Sequence, residues 1–441
     1  MSEIHTQHRL LSPAVAVFLF VAGSLPAQVF IVDEAGGPGA QFTDLPAAID
    51  AVPDGATLRV RAGDYSPFSI DGKGIAVVGE VAGEVRISKF GPAQVIENTG
   101  AGQMVLLKNL SIAPTSGLGA LLIVANCRGP VLVENLDTTV TVAAATFVVH
   151  TCDNVQLHRC QLTDLGFASR PRLLAIDSGL HLRDTDLRGP TSGVGTIGAL
   201  PANPALELVR TRAIAVRSSL TGGRGGLCCL RGGSASTPGG VGVLVSDSSE
   251  LIALRTTATG GRGADEYTSQ FGGFIPASAG GIGIVVSDNA TARFEGDEPR
   301  GGVPGIGGET FGAPSVLRSG GTIAIDPESE PSAGDLQGTP VRGQTVRFTL
   351  DAAPASVAVL LLSTSQAQMV PIEPLALGSV LFPIALAIPT ASVPATGVLE
   401  IDYTIPASRQ LGVTTFGQFA SLHPTRQRIW LTNPFALHVN Q

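Results

Sequence analysis

The segment HLRDTDLR, His181 to Arg188, sets two carboxylates two residues apart with arginines on both sides. Carboxylates spaced this way beside basic groups could hold calcium or a sugar acid, or divide the acid and base steps of glycosidic-bond cleavage. An apolar repeat, set out below, aligns related charges from successive turns of chain. In that register Asp137, Gln161, Asp186 and Glu298 share one outward column, and Asn135, Arg159, Asp184 and Arg217 share the adjacent turn column. Neighbouring strands lie about 4.8 Å apart, so Arg159, Asp184 and Arg217 stack as plus, minus, plus. Asp184, Asp186 and Arg217 are therefore the candidate catalytic groups, the arginine pairing with a uronate or taking a proton. Asp137 and Arg159 are candidate binding groups on the same ladder. A free arginine stays protonated, which opposes the base role, and a solvated ion ladder accounts for the same residues.

A second candidate surface lies in two alike insertions, TGGRGG from Thr221 and TGGRGA from Thr259. They carry Arg224 and Arg262, and the second carries Tyr267, Phe271 and Phe274, rings on which a sugar can stack or which pack the loop onto its support. Their glycines are not a phosphate loop, because the lysine and hydroxyl ending is missing. His158 and His181 are expected to point outward, and no serine–histidine–acid arrangement can be argued. Asp153, Asp177, Asp247 and Asp288 sit at turns, where Asx turns explain them, with a calcium site the alternative. Cys127 and Cys152 occupy nearly matching places in adjacent turns and are a disulfide candidate; Cys160 takes an inward place and reads as core. The five cysteines show no metal-type CxxC pair, so no metal site is expected.

What must position these groups is a repeat. Between Val105 and Pro299 the pattern Φ-x-Φ-x-x-Φ-x-Φ recurs, with second positions at Leu107, Val133, Leu157, Leu182, Ala215, Ala253 and Phe294. The intervals are 26, 24, 25, 33, 38 and 41 residues. Period-two alternation means strands, the two-residue break is a bend, and a period near 24 residues without helix is a β-solenoid. Leucine-rich repeats fit less well, because their asparagine-centred consensus is absent. The longer periods hold insertions at 189–204, 222–240 and 260–281, expected to leave the coil at one corner and lie on one side.

Only TDLPAAIDAVPDG, from Thr43, reads as helix: an N-cap at Thr43 or Asp44, Pro46 in the first turn, and Leu45, Ala48, Ile49 and Val52 on one face. It is expected to plug the N-terminal end of the solenoid core. With the following TLRVRAGDY and GIAVVGE, this stretch resembles the N-terminal cap of the pectate-lyase-like, right-handed parallel β-helix superfamily. The resemblance covers roughly residues 29–310 and implies fold more than activity, since the superfamily includes lyases, hydrolases, tailspikes and adhesins. The Gly-His-Gly and Arg-Ile-Lys motifs expected of a polygalacturonase are absent, and SRPRL at Ser169 does not match the motif of classical pectate lyases.

The expected architecture is all-β: signal peptide 1–27, parallel β-helix 28–308, linker 309–343 and a small β-sandwich 344–441. The signal rests on a weakly basic start, the apolar run Leu10–Ala27 and a small residue at Ala27. The sandwich rests on about six alternating strands after Gly343, and Trp430 in its last strand reads as core. No later apolar run spans a bilayer, and a net charge of −8 opposes a nucleic-acid partner. The reading is a secreted or cell-surface protein that binds a polysaccharide or cell-surface glycan, or adheres, without catalysis and without a cofactor. The alternative is a lyase or glycoside hydrolase acting on acidic polysaccharide, for which Ca2+ would be the cofactor.

Overall fold

The structure is a computed structural model, described for residues 28–113, 119–138, 145–163, 170–192, 202–228, 235–268, 274–307, 313–326, 333–337, 342–371, 376–377, 379–405, 414–422, 424, 429–432 and 435–438. The proposed signal peptide and Phe271 lie outside these residues.

The second positions of the repeat pair in register. Leu107 lies beside Val133, and the same column continues through Leu157, Leu182, Ala215, Ala253 and Phe294 to Ile325. Backwards it runs through Val77 and Leu58 to Phe30. Each coil thus adds one strand to a parallel sheet of eleven strands, here the long sheet. A second sheet of nine strands, from Ser69–Asp71 to Val316–Ser319, is also parallel. The third sheet comes in runs of three and four strands, joined by bridges from Ser111 through Asp137 to Gln161. The chain is a parallel β-helix, and its inward residues form one continuous core from Val32 to Phe294.

The helix Leu45–Ala51 closes the N-terminal end. Asp44 caps it, accepting from Leu45 N at 2.9 Å and from Ser66 N and Oγ at 2.9 and 2.6 Å. Lys73 Nζ donates to Ile49 O at 2.7 Å and Val52 O at 2.9 Å, satisfying carbonyls that the helix end leaves open.

The corner between the long and third sheets repeats one backbone device. Asn109, Asn135, Arg159, Asp184, Arg217 and Arg255 all lie in the left-handed region, with φ between 47 and 58°. Each N–H donates to a carbonyl of the next coil, as from Asp184 to Val216 and from Arg217 to Leu254. A left-handed non-glycine residue costs about 1 kcal/mol, which the inter-coil bond offsets. Asp177, Asp247 and Asp288, read above as Asx turns, take the same left-handed conformation at another corner.

Inside the coil, small polar residues stack. Cys152 N donates to Ser178 Oγ, Ser178 N to Thr211 Oγ1, and Thr211 N to Ser249 Oγ, at 3.0–3.3 Å. Cys127 precedes Cys152 in this column, one coil away, and both are free thiols, so the disulfide expected between them is not formed. Their sulfurs instead donate to carbonyls, Cys127 to Ala125 O at 3.3 Å and Cys152 to His150 O at 3.3 Å, as the later hydroxyls do. Cys160 is buried in a parallel column that continues as Thr185, Ser218 and Thr256.

The insertions leave the coil together and interleave as a fin. A single ladder links outgoing and returning segments: Gly223 N to Asn203 O, Gly240 N to Gly223 O, Gly261 N to Gly240 O, Gly281 N to Gly261 O and Gly302 N to Gly281 O, at 2.7–3.0 Å. A Cβ on Gly261 would stand 1.9 Å from Gly223 O, so the segments approach this closely only as glycine.

The expected linker 309–343 is not one. Val316–Ser319 and Thr322–Asp326 form a further coil, and Ala333–Gln337 pairs antiparallel with Thr345–Asp351. Gly320 and Gly321 mark the corner between the two strands of that coil, Gly320 in the left-handed region. The C-terminal module consists of a three-stranded and a six-stranded sheet. Val346, Phe348 and Leu350 of the first share a core with Leu360 and Phe419 of the second. Trp430 pairs through its backbone with Ser421.

Candidate functional site

The turn column read from the sequence is present, and so are the first three places of the outward one. Asn135, Arg159, Asp184 and Arg217 follow one another at the left-handed corner, and Asp137, Gln161 and Asp186 align on the third sheet. Asp184 lies at the corner, whereas Asp186 begins the strand Asp186–Arg188 on the third sheet, paired with Gln161 and Ser219.

Asp184 is engaged from several sides. Arg217 donates to it through Nε and Nη2, both at 2.7 Å, and Arg183 Nε lies 3.3 Å away. His158 Nε2 stands 3.7 Å from Asp184 Oδ2, its Nδ1 stands 4.0 Å from Glu134, and Glu134 meets Lys108 at 3.1 Å. Burial pushes the Asp184 carboxyl up, but the nearby His158 imidazole, the hydrogen bonds from Arg217 and the charges of Arg217 and Arg183 outweigh it and hold it well below the usual carboxylate range. A general acid or base works best with a pKa near the operating pH. Asp184 is far from that, and Arg217 is a guanidinium fork already filled. The pair is a clamp between coils.

Sequence reasoning missed the charged residues behind this ladder. On the outward face of the long sheet one column runs Lys108, Glu134, His158, Arg183, Val216, Leu254, Glu295, and its neighbour runs Leu106, Leu132, Gln156, His181, Ile214, Ile252. His158 and His181 do point outward, yet the face is covered. His158, His181 and Arg183 are 5, 6 and 2% exposed. The C-terminal module touches the border of this face, where Arg159 Nη2 donates to Leu336 O at 3.2 Å and Arg255 pairs with Asp351. Burial lowers the His158 and His181 pKa values, helped by the charges of Arg183 and Arg212 respectively, and His181 falls to about 4. The alternation of Glu134, His158 and Arg183 with apolar residues was visible in the sequence. Their burial was not.

The second candidate surface also differs from expectation. Arg224 and Arg262 both pair with Asp265, the latter at 2.7 Å, and Ile306 N donates to the same carboxylate at 2.7 Å. Arg224 thereby clasps a neighbouring layer of the fin, whereas Arg262 and Asp265 belong to the same insertion. Tyr267 pairs with Ile275, and Thr268 with Phe274, on a two-stranded ribbon. Alternation then puts Tyr267 and Phe274 on opposite faces, so the two exposed rings do not make one stacking platform.

The third sheet keeps an open outward face. Asp137, Gln161, Asp186, Ser219 and Thr257 form one column in register, and Arg188, Thr221 and Thr259 another. All are partly or fully exposed. A cavity of about 290 Å³ lies elsewhere, at the last three coils, lined by Glu250, Ile252, Arg293 and Ala324 among others and by none of Asp184, Asp186 or Arg217. Among the described residues no group of three or more His, Cys, Asp or Glu could hold a metal ion, and no helix is long and apolar enough to cross a membrane.

No protein-family model matches this chain, and no curated protein does. A solved structure, that of pectate lyase Pel9A, is similar at 11% identity over 62% of this chain and 70% of that one, with a TM-score of 0.20. The parallel register of this chain's own strands, and not that likeness, makes it a β-helix.

Proposed function

We propose that this is an exported, non-catalytic β-helix protein that binds an extended glycan along the outward face of the third sheet. The observation that carries the reading is the open polar column Asp137, Gln161, Asp186, Ser219 and Thr257. It offers a hydrogen-bonding group about every 4.8 Å, a flat repeating surface that suits a polymer with many hydroxyls better than a small ligand in a pocket. Carboxylate and amide side chains accept from and donate to sugar hydroxyls, and Arg188 beside them supplies a cation for an acidic sugar. Against catalysis stands Asp184, held ionised by its arginine.

The test is a binding screen of the secreted chain against acidic and neutral polysaccharides, with and without calcium, alongside an assay for unsaturated and reducing ends. Binding without product, weakened about tenfold by Gln161→Ala with Asp186→Ala, is the expected result. Product from any polysaccharide would replace this reading with the lyase or hydrolase one. Binding that the double variant leaves intact would move the ligand off the third sheet.

A further inference from the structure

The two ends of the coil stack are finished differently. At the N-terminal end the helix buries Leu45, Ala48 and Ile49 over the core, and Phe42 bridges to the first strand at Val32. At the other end, Val316–Ser319 and Thr322–Asp326 are the edge strands of the nine- and eleven-stranded sheets. Ile323 and Ile325 continue the inward column beneath Ala292 and Phe294, yet Ile325 is 39% exposed where Phe294 is fully buried. A core-facing isoleucine this exposed at the edge of two sheets indicates a surface that is covered in use.

The backbone of this edge has a defined polarity. Thr322 N donates to Ala290 O, and Asp326 O accepts from Gly296 N, so Thr322, Ala324 and Asp326 bond back to the preceding coil. Ile323 and Ile325 therefore direct their N–H and C=O groups toward the open side. Natural edges are blunted by proline, bulges or inward charges. The strand Thr322–Asp326 has no proline, keeps unbroken register with the preceding coil, and carries only a terminal aspartate.

We propose that this end docks a second copy of the chain, end to end, about a two-fold axis through Ala324. Antiparallel pairing centred there sets Ile323 opposite Ile325 of the second copy, and Ile325 opposite Ile323. These are the residues whose polar groups face outward, so each pair exchanges two hydrogen bonds. Their side chains all point inward and join the two cores. Thr322 falls opposite Asp326, hydroxyl to carboxylate. A closed two-fold interface must be self-complementary, and TIAID, with isoleucine on both sides of the central alanine, meets that condition. The helix-capped end does not, because its core edge is covered. Arg318, whose Nη2 lies 3.4 Å from Ile323 O, swings aside on docking.

Sedimentation velocity on the purified full chain tests this across a concentration series. The expected species has twice the mass of one chain. Ile325→Lys and Ile323→Glu should each give monomer, with circular dichroism and melting temperature confirming a folded chain. Mixing the two variants should restore the dimer, because the proposed register sets the new lysine opposite the new glutamate. Monomer at every concentration for the unaltered chain would overturn the proposal. So would a dimer that survives both substitutions, or variants that stay monomeric when mixed.

Discussion

Arg217 holds Asp184 through two parallel hydrogen bonds of 2.7 Å, Nε to Oδ1 and Nη2 to Oδ2, across one inter-coil step. The side chains are 25 and 24% exposed, so the pair is sheltered enough to matter. Arg217→Ala should lower stability by about 2 kcal/mol, since it leaves a half-buried carboxylate without its fork. Denaturant unfolding measures this, and a loss no larger than that of Arg347→Ala, from an exposed pair with Asp402, would show that the clamp contributes nothing special.

The depressed pKa of Asp184 makes a pH prediction. A carboxylate whose folded pKa lies below its unfolded value contributes stability above about pH 3.9, and the contribution is lost as pH falls through the folded pKa. The melting temperature of the unaltered chain should therefore fall more steeply below about pH 4 than that of Asp184→Asn, and the two curves should converge in acid.

His181 works over a different range. Burial, aided by the charge of Arg212, brings its pKa to about 4. The unfolded chain takes up the proton near pH 6.5, so the contribution is full above about 6.5 and is lost as pH falls toward about 4. His181→Gln should flatten the melting curve between these limits. An unchanged slope would mean that another group governs it.

The fin depends on bare backbone. Gly261→Ala forces a Cβ to 1.9 Å from Gly223 O and should cost about 3 kcal/mol. Gly102→Ala meets nothing within 4 Å and should stay within about 0.5 kcal/mol of the unaltered chain. Paired unfolding curves separate the two.

Burial pushes the Cys160 thiol up to about 12. The proximity of the Cys127 and Cys152 sulfurs instead draws Cys127 down and pushes Cys152 up. Native-state alkylation at neutral pH should leave Cys160 unmodified, and denaturation should make it reactive within minutes. Intact-mass analysis reads both states. A native adduct at Cys160 would mean that its coil opens.

Much of this fold was legible because it is local and repeated. A coil pairs with the coil before it, so Leu107, Val133, Leu157 and Leu182 could be aligned by counting, and the same count aligned Arg159, Asp184 and Arg217. The helix at Leu45 was legible from its cap, its proline and its apolar face. The stretch after Glu309 was misread because glycine and proline mark a coil corner as readily as a linker. Which reading applies depends on whether Ile284 and Ala292 wait in register for Val316 and Ile323.

By itself the sequence determined the period, the inward and outward sides of each strand, and the corner that holds the charge ladder, since these follow from alternation and spacing along the chain. Only the tertiary structure decided what each outward face meets. His158 and Gln161 are both outward and three residues apart, yet one is buried and the other faces solvent. Burial, and with it every pKa and every available surface, is set by contacts between segments remote in sequence. For that reason the clamp at Asp184, the covered long sheet, the open third sheet and the bare isoleucine edge emerge only once the chain is folded.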